Sequence, residues 1–199
     1  MLKKAFALWA LIPAVAFAAP AQKPIDTKTS TISWKGTKEF LNDSHTGTVG
    51  LSKGFLLMDG EKITGGEFTV DMTSIQNTDL KDPAMKAKLE GHLKSPDFFD
   101  VANHKDAKFV VNKVTAKTAT DQIFEGNLTI RGKTQPFKIP ATLKKEGNAW
   151  VAMGKIEVDR TLFDVKYNSK TFVPDLVKSA KDKVIKNNIA IDFSLKTQG

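Results

Sequence analysis

The side chains that could carry out chemistry are few in this sequence of 199 residues. It contains three histidines, His45, His92 and His104, and no cysteine. Without cysteine the chain can form no disulfide, no thiolate metal site and no catalytic thiol. The three histidines are also not spaced as a His-x-x-x-His metal motif. We therefore predict no metal, no cofactor and no catalytic residue.

Arg160 is the most informative charged residue, because it continues an alternating run in which Ile156 and Val158 point inward. The next apolar residues have the opposite parity: Phe163, Val165 and Tyr167. We therefore expect a register slip just after Arg160, as at a strand end or a bulge. A guanidinium there could bind a phosphate or a quinone oxygen at the mouth of a barrel. The alternative is an ion pair with a nearby carboxylate: Asp71, Asp159 or Asp164.

Period-two alternation dominates the chain and predicts an antiparallel all-β domain. The segment 67–72, for example, places Phe68, Val70 and Met72 on one face and polar side chains on the other. Equivalent inward residues in later runs are Leu128, Ile130, Phe137, Ile139, Ala141, Leu143, Ile156, Val158, Ile189, Ile191, Phe193 and Leu195. Gly-containing turns separate these runs, so we expect eight or nine strands joined mostly by hairpins.

One segment, about 82–93, breaks the alternation and predicts a short helix. Asp82 is a suitable N-cap, Pro83 suits the first helical position, and Gly91 lies near the expected end. Met85 and Leu89 fall on one face, so the helix should lie against the barrel or over its end. Phe98 and Phe99 follow in a tight turn, and a weaker helical turn is expected over 174–181.

Closing about eight strands into a barrel leaves an interior that is either filled by side chains or able to hold one slender ligand. The inward faces here are aliphatic and aromatic, which favours an apolar ligand if a cavity exists. Alternation alone does not separate a cavity from a packed core, and both interpretations stay open.

The N-terminal residues have the pattern of a secretory signal peptide. Lys3 and Lys4 precede an apolar run over 5–17, and Ala16 and Ala18 occupy the positions that a signal peptidase reads. We predict cleavage after residue 18, which leaves a single domain over 19–199, and an exported protein of the periplasm. The formal charge of +8 includes only two arginines among 30 basic residues. That composition argues against nucleic-acid binding and allows weak contact with anionic membrane surfaces.

Five local strings stand out in this chain, in a fixed order. They are Lys38-Glu39-Phe40 with Ser44-His45-Thr46-Gly47, the segment 65–75, the segment 89–101, Gly126-Asn127-Leu128-Thr129-Ile130-Arg131-Gly132, and the segment 158–165. Together they resemble the YceI family of exported bacterial lipid-binding proteins. The match extends from about Ile25 to Leu195, and one departure is the stretch 102–106, where the family commonly has a Tyr-Pro pair.

This resemblance implies a lipocalin-like antiparallel barrel, with a helix over it, that holds a polyisoprenoid or another long-chain lipid, and it makes a homodimer plausible. His45 is a hallmark of the family and would bind a lipid head group; the alternative is that it ties a loop to the backbone. His92 is expected to fix the helix end through its ring nitrogens, and His104 to lie on the surface. The predicted ligand-binding residues are His45, Phe68, Val70, Met72, Phe98, Phe99, Leu128, Ile130, Phe137, Ile139, Ile156, Val158, Arg160, Phe163 and Tyr167.

The predicted function is therefore that of a periplasmic lipid carrier, store or sensor rather than an enzyme. A hydrolase or isomerase that acts on a lipid in the same cavity is the alternative, because a catalytic triad assembles in space and not in sequence. The pattern of strands offers no alternating α/β scaffold of the kind that carries a nucleophile elbow.

Overall fold

A computed structural model of the chain describes residues 19–199, so the predicted signal peptide lies outside the described residues. Nine strands and two short α-helices account for most of the described residues. The helices are α1 (Pro83–Lys94) and α2 (Pro174–Ser179). The strands are β1 (Ala21–Pro24), β2 (Thr31–Thr37), β3 (Ser44–Asp59), β4 (Lys62–Asn77), β5 (Asp106–Ala116), β6 (Asp121–Ile130), β7 (Lys133–Glu146), β8 (Ala149–Asp159) and β9 (Asn188–Lys196).

The sheet closes on itself as an antiparallel barrel of eight strands. Its strand order is β3-β2-β9-β8-β7-β6-β5-β4, and pairing between β3 and β4 completes the circle. The short strand β1 lies outside this circle and pairs with the second half of β3, from Ala21 opposite Met58 to Pro24 opposite Phe55. The predicted lipocalin-like all-β fold with a short helix is confirmed.

The two ends of the barrel differ in how the strands are connected. At one end, which we call the hairpin end, tight turns join β3 to β4, β5 to β6 and β7 to β8. Gly60 and Gly147 occupy two of these turns with φ of 59°, a conformation that glycine adopts without strain. At the opposite end, the capped end, the long segments 78–105 and 160–187 fold over the barrel.

Helix α1 covers the predicted segment to within one residue at each end. The Asp82 carboxylate accepts a hydrogen bond from the Met85 amide at 2.8 Å, and Pro83 follows in the first turn. Gly91 does not end the helix, which continues to Lys94 and is capped at Ser95. The expected contact of Met85 with the barrel is wrong, because this side chain is 54% exposed. Leu89, His92 and Leu93 face the barrel interior instead.

The predicted helical turn over 174–181 is present as α2, followed by a 3₁₀ helix over Lys181–Lys183. A second 3₁₀ helix, Arg160–Phe163, begins directly after β8, at the place where the register slip was expected. Within residues 19–199, no helix combines the length and the apolar character needed to cross a membrane.

Candidate functional site

The barrel interior contains a cavity of about 310 Å³. All eight barrel strands contribute apolar side chains to its wall, among them Ile32, Leu51, Val70, Phe109, Leu128, Ile139, Ala152 and Ile191. Toward the hairpin end the interior is filled instead, by a cluster that includes Ile25, Met58, Ile63 and Leu143. The two interpretations that alternation left open therefore each describe one part of the barrel: a packed core at the hairpin end and a cavity toward the capped end.

The cavity is deep relative to its volume. On β9 its lining side chains run from Ile189 to Leu195. At about 3.3 Å per residue and a strand tilt of about 40°, this span corresponds to a depth of roughly 15 Å. The volume lies at the low end of the range of about 300–1,000 Å³ that is usual for ligand sites. Such a shape suits one slender apolar chain better than a bulky ring system.

Polar lining groups are confined to the capped end of the cavity. We call the group Thr37, Lys38, Asp43, Ser44 and His45 the mouth. These residues end β2, begin β3 or lie between the two strands, and the exposed side chain of Asp43 shows that the cavity reaches the surface here. A ligand in this cavity would place its apolar part among the strands and any polar group at the mouth.

His45 is held in place by a carboxylate. Its Nδ1 lies 2.9 Å from Oδ2 of Asp79, and the other oxygen of Asp79 accepts hydrogen bonds from the Thr46 amide and from Nδ2 of Asn77. Burial raises the pKa of Asp79, but these hydrogen bonds outweigh it and leave the pKa below its usual value. The ionised carboxylate therefore fixes the imidazole at the mouth. Nδ1 ties the loop to the carboxylate of Asp79 and not to the backbone, which corrects the loop-tying interpretation, while the head-group role of the ring stays a prediction.

The same network attaches helix α1 to the barrel. Asn77 is completely buried, and its backbone N–H donates a hydrogen bond of 2.7 Å to Oε1 of Glu90 on the helix. Its side chain also donates to the carbonyl of Thr46 at 3.0 Å. Sequence reasoning missed Asn77, Asp79 and Glu90, because no local pattern signals polar partners that come from separate elements.

An aromatic cluster covers the cavity beside the helix. The ring of His92 lies 5.3 Å from Phe98 and 4.5 Å from Tyr167, both in edge-on geometry. The helix end is capped by the carbonyl of His92, which accepts hydrogen bonds from Ser95. The expected contribution of the ring nitrogens is limited to a long contact of 3.8 Å between Nε2 and Asp97, just beyond the helix end. His104 lies in the surface turn after this cluster, with Nε2 3.9 Å from Asp100.

Arg160 takes a different position from the one expected. It lines the cavity, but it is only 1% exposed and its guanidinium is held by backbone carbonyls. The three hydrogen bonds run from Nη1 to Val165 at 2.7 Å, from Nε to Lys186 at 3.1 Å and from Nη2 to Ile185 at 3.3 Å. Burial lowers its pKa to about 10, so the side chain stays charged at neutral pH.

These contacts correct the ion-pair interpretation of Arg160, while its head-group role stays a prediction. The guanidinium joins the 160–165 turn to the 185–186 segment, so its first role is to hold the capped end together. In the described part of the chain, no carboxylate forms an ion pair with it, and its hydrogen bonds go to carbonyl oxygens. Two of the carbonyl partners, Ile185 and Lys186, are distant in sequence, and their positions could not be read from the alternation.

Thirteen of the fifteen predicted ligand-binding residues line the cavity, and two do not. Phe137 packs against the buried core cluster without lining the cavity, although its neighbours Ile139 and Ala141 line it. Tyr167 contacts His92 edge-on in the aromatic cluster and is 37% exposed. Further lining residues that the prediction omitted include Trp34, Leu51, Phe109, Phe124, Ile189, Ile191 and Phe193. The alternation in β9 correctly selects all four of the residues that this strand contributes to the wall, from Ile189 to Leu195. The ligand contacts of all these residues remain predictions.

A Gly-x-Ser-x-Gly string occupies residues 50–54, the spacing of a hydrolase nucleophile elbow. It lies inside β3 rather than at a strand-to-helix turn, and the Ser52 hydroxyl donates to the carbonyl of Thr69 at 3.0 Å. Ser52 is exposed and is not among the residues that line the cavity. The string is therefore not built as a catalytic elbow.

A family model for the YceI-like domain matches residues 24–197, which includes all eight barrel strands and the cavity. The chain belongs to the YceI-like family. The YceI-like domain is 30% identical over 152 residues to a UPF0312 protein of Pseudomonas putida, covering 74% of this chain and 76% of that protein. A UPF0312 protein of Pseudomonas syringae is 36% identical over 74 residues, and this match spans only 38% of its length.

Solved structures share the fold of the YceI-like domain at low sequence identity. BcnA of Burkholderia cenocepacia superposes with a TM-score of 0.68 at 20% identity, covering 87% of this chain and 99% of that one. A polyisoprenoid-binding domain from Saccharophagus degradans gives a TM-score of 0.64 at 15% identity, covering 90% and 99%. At these identities the likeness establishes the barrel architecture.

Proposed function

We propose that this YceI-like protein binds one lipid of isoprenoid or acyl type, with its apolar chain inside the barrel and its polar group at the mouth. The observation that carries the proposal is the distribution of side chains around the cavity. The wall is apolar along the strands, and the polar residues Thr37, Lys38, Asp43, Ser44 and His45 gather at one end. An amphiphile with a slender tail matches both halves of this arrangement.

Burial of the tail supplies the driving force. Each buried CH₂ group contributes about 0.8 kcal/mol, so a long tail is strongly favoured inside the barrel over water. Real affinities saturate far below the sum of such increments, because ordering the ligand costs free energy. Free lipid in water is correspondingly scarce, and the realistic exchange partner is a membrane. The protein would then act as a carrier, a store or a sensor for its lipid.

The relatives support the class of ligand. The Saccharophagus degradans domain with the same fold is described as binding a polyisoprenoid. We propose that the present cavity takes a related lipid, and that the N-terminal segment with Lys3, Lys4 and Ala18 directs the protein to the periplasm. The homodimer that the resemblance implies stays a prediction.

Binding is favoured over catalysis by the surroundings of His45. The His45–Asp79 pair resembles two members of a catalytic triad. Within residues 19–199, however, the hydrogen bonds of the imidazole go to Asp79 alone, and Ser52 is engaged by the backbone of β4. The mouth can therefore hold a polar group, while no activated nucleophile stands beside it.

We expect the natively purified protein to carry an extractable lipid with a long apolar chain. Native mass spectrometry of protein made in a bacterial host should show a species heavier than the bare chain, and solvent extraction should convert it to the bare mass. The extracted compound should be identified by fragmentation. Finding only the bare chain mass, in a host whose membranes contain isoprenoid lipids, would count against the proposal.

A further inference from the structure

The exposed large apolar side chains of residues 19–199 are concentrated at the capped end of the barrel. Phe40 is 46% exposed and Phe172 is 45% exposed. Leu41, Met85, Leu162 and Tyr167 belong to the same end. Among the exposed large apolar residues, only Met153 lies on the barrel wall, in the middle of β8. Apolar groups that face water at one end of a molecule mark a candidate interaction surface.

Phe40, Leu41 and Phe172, which we call the apolar rim, are brought together by contacts between two loops. The amide of Glu39 donates to the carbonyl of Val184 at 2.9 Å, and the Glu39 carboxylate pairs with Lys170 at 2.5 Å. These bonds join the 38–43 loop to the 164–186 segment. The rim residues therefore belong to one surface, although 132 positions separate Phe40 from Phe172 in sequence.

Lysines surround the apolar rim. The Nζ atom of Lys166 lies 4.9 Å from the centre of the Phe172 ring, and that of Lys181 lies 6.0 Å from the Phe40 ring. The segment 164–186 contains six lysines against three aspartates. Aromatic and aliphatic side chains flanked by lysines are the combination with which proteins attach to the interface of anionic bilayers.

The apolar rim adjoins the mouth. Lys38, two positions before Phe40, lines the cavity and forms a β-bridge with Ile185, which lines it as well. A bilayer in contact with the rim would therefore lie directly beside the polar end of the cavity. A lipid could then pass between membrane and barrel without exposing its whole tail to water.

We propose that the apolar rim and its lysines are a docking surface for anionic lipid bilayers. The lysines select the negatively charged surface, and Phe40, Leu41 and Phe172 enter the interfacial region of the lipids. The purpose of this surface, loading and unloading of the cavity, rests on the proposed function, but the attachment itself is measured independently of cavity occupancy.

The test is co-sedimentation of the purified protein with vesicles of phosphatidylglycerol and phosphatidylcholine, with pure phosphatidylcholine vesicles as a comparison. We expect binding to the anionic vesicles that weakens with added salt. The variant Phe40→Ser/Leu41→Ser/Phe172→Ser should bind at least about tenfold more weakly, because its apolar contacts with the interface are lost. The variant Lys166→Gln/Lys181→Gln should lose about tenfold through electrostatics.

Matched controls place the same changes elsewhere on the surface. Met153→Ser removes an exposed apolar side chain from the barrel wall, and Lys62→Gln/Lys117→Gln removes two exposed lysines from the hairpin end. Both controls should bind vesicles like the parent, and all variants should keep its melting temperature within a few degrees, because exposed positions contribute little to stability.

Three outcomes would overturn the docking surface: no binding of the parent to anionic vesicles, rim variants that bind like the parent, or controls that lose as much binding as the rim variants. Self-association that depends on the rim, without vesicle binding, would assign the rim to a second copy and also overturn the proposal.

The variant Ala152→Phe, which fills the cavity, should still bind anionic vesicles like the parent. If the parent protein binds anionic vesicles but never contains a lipid in its cavity, only the proposed function is contradicted. If it contains a lipid but does not bind vesicles, only the docking surface is contradicted.

Discussion

Arg160→Met should lower the free energy of unfolding by roughly 3–5 kcal/mol, since one buried and two part-buried carbonyls lose a charged donor at once. Those carbonyls belong to Val165, Ile185 and Lys186. Methionine fills part of the volume but donates no hydrogen bond, so the turn after β8 and the segment before β9 are no longer joined. Arg160→Lys should also destabilise, because a single ammonium does not reproduce the planar fork. Urea denaturation followed by circular dichroism measures the change.

Arg131 provides a matched control for this experiment. It is the only other arginine, and it also donates to two carbonyls, those of Asp164 at 2.7 Å and Pro96 at 2.8 Å. These bonds are less buried, so Arg131→Met should cost about 1–2 kcal/mol. If Arg160→Met unfolds with the same free energy as the parent but loses bound lipid faster, the result would instead support a role for Arg160 in binding the head group.

Gly47→Ala should destabilise the barrel by roughly 3 kcal/mol or more. Gly47 pairs with Trp34 of β2 on one side and with Asn77 of β4 on the other. A Cβ atom at this position would lie 1.9 Å from the carbonyl oxygen of Gln76 and 2.4 Å from the Trp34 ring. Because the carbonyl belongs to the backbone, the clash cannot be relieved by a side-chain rotation. Strands β2 and β4 would have to move away from β3 next to the mouth.

Gly36→Ala is the corresponding control. Gly36 lies in β2 opposite His45, and a Cβ atom there meets no atom within 4 Å. This substitution should be neutral or stabilise by up to about 1 kcal/mol, because alanine loses less conformational entropy than glycine. The melting temperature and the urea midpoint of Gly47→Ala should therefore lie well below those of Gly36→Ala. Equal stability of Gly47→Ala and Gly36→Ala would show that the packing between β2, β3 and β4 is looser than described.

Sequence reasoning succeeded where the signal is local. Alternation identified which faces of the strands point inward, because side chains on a strand alternate with a period of two, and it placed Phe68, Leu128 and Ile191 inside the barrel. The N-cap at Asp82 and the proline after it marked the start of α1 for a similarly local reason.

The signals that failed were those that depend on contacts between distant segments. The parity of Arg160 was informative, but its partners at Ile185 and Lys186 lie 25 and 26 positions away and are backbone atoms. Phe137 has the inward parity of its strand, yet it packs against the buried core cluster and does not line the cavity, whereas Ile139 on the same strand does. How far the core extends before the cavity begins depends on the sum of many side-chain volumes, which no single strand reveals.

The central claim, that an apolar lipid tail lies inside the barrel, is tested most directly by titration with cis-parinaric acid, a fatty acid whose fluorescence rises in an apolar site. Ala152 lines the cavity from β8, whereas Ala190 of β9 lies opposite Glu157 of β8 and lines a shallow surface depression outside the cavity. Ala152→Phe places a ring in the space of the tail and should weaken binding at least tenfold, a loss of about 1.4 kcal/mol or roughly two buried CH₂ groups. Ala190→Phe should bind like the parent. Equal affinities for all three proteins, at unchanged melting temperatures, would contradict the claim and place the lipid outside the barrel.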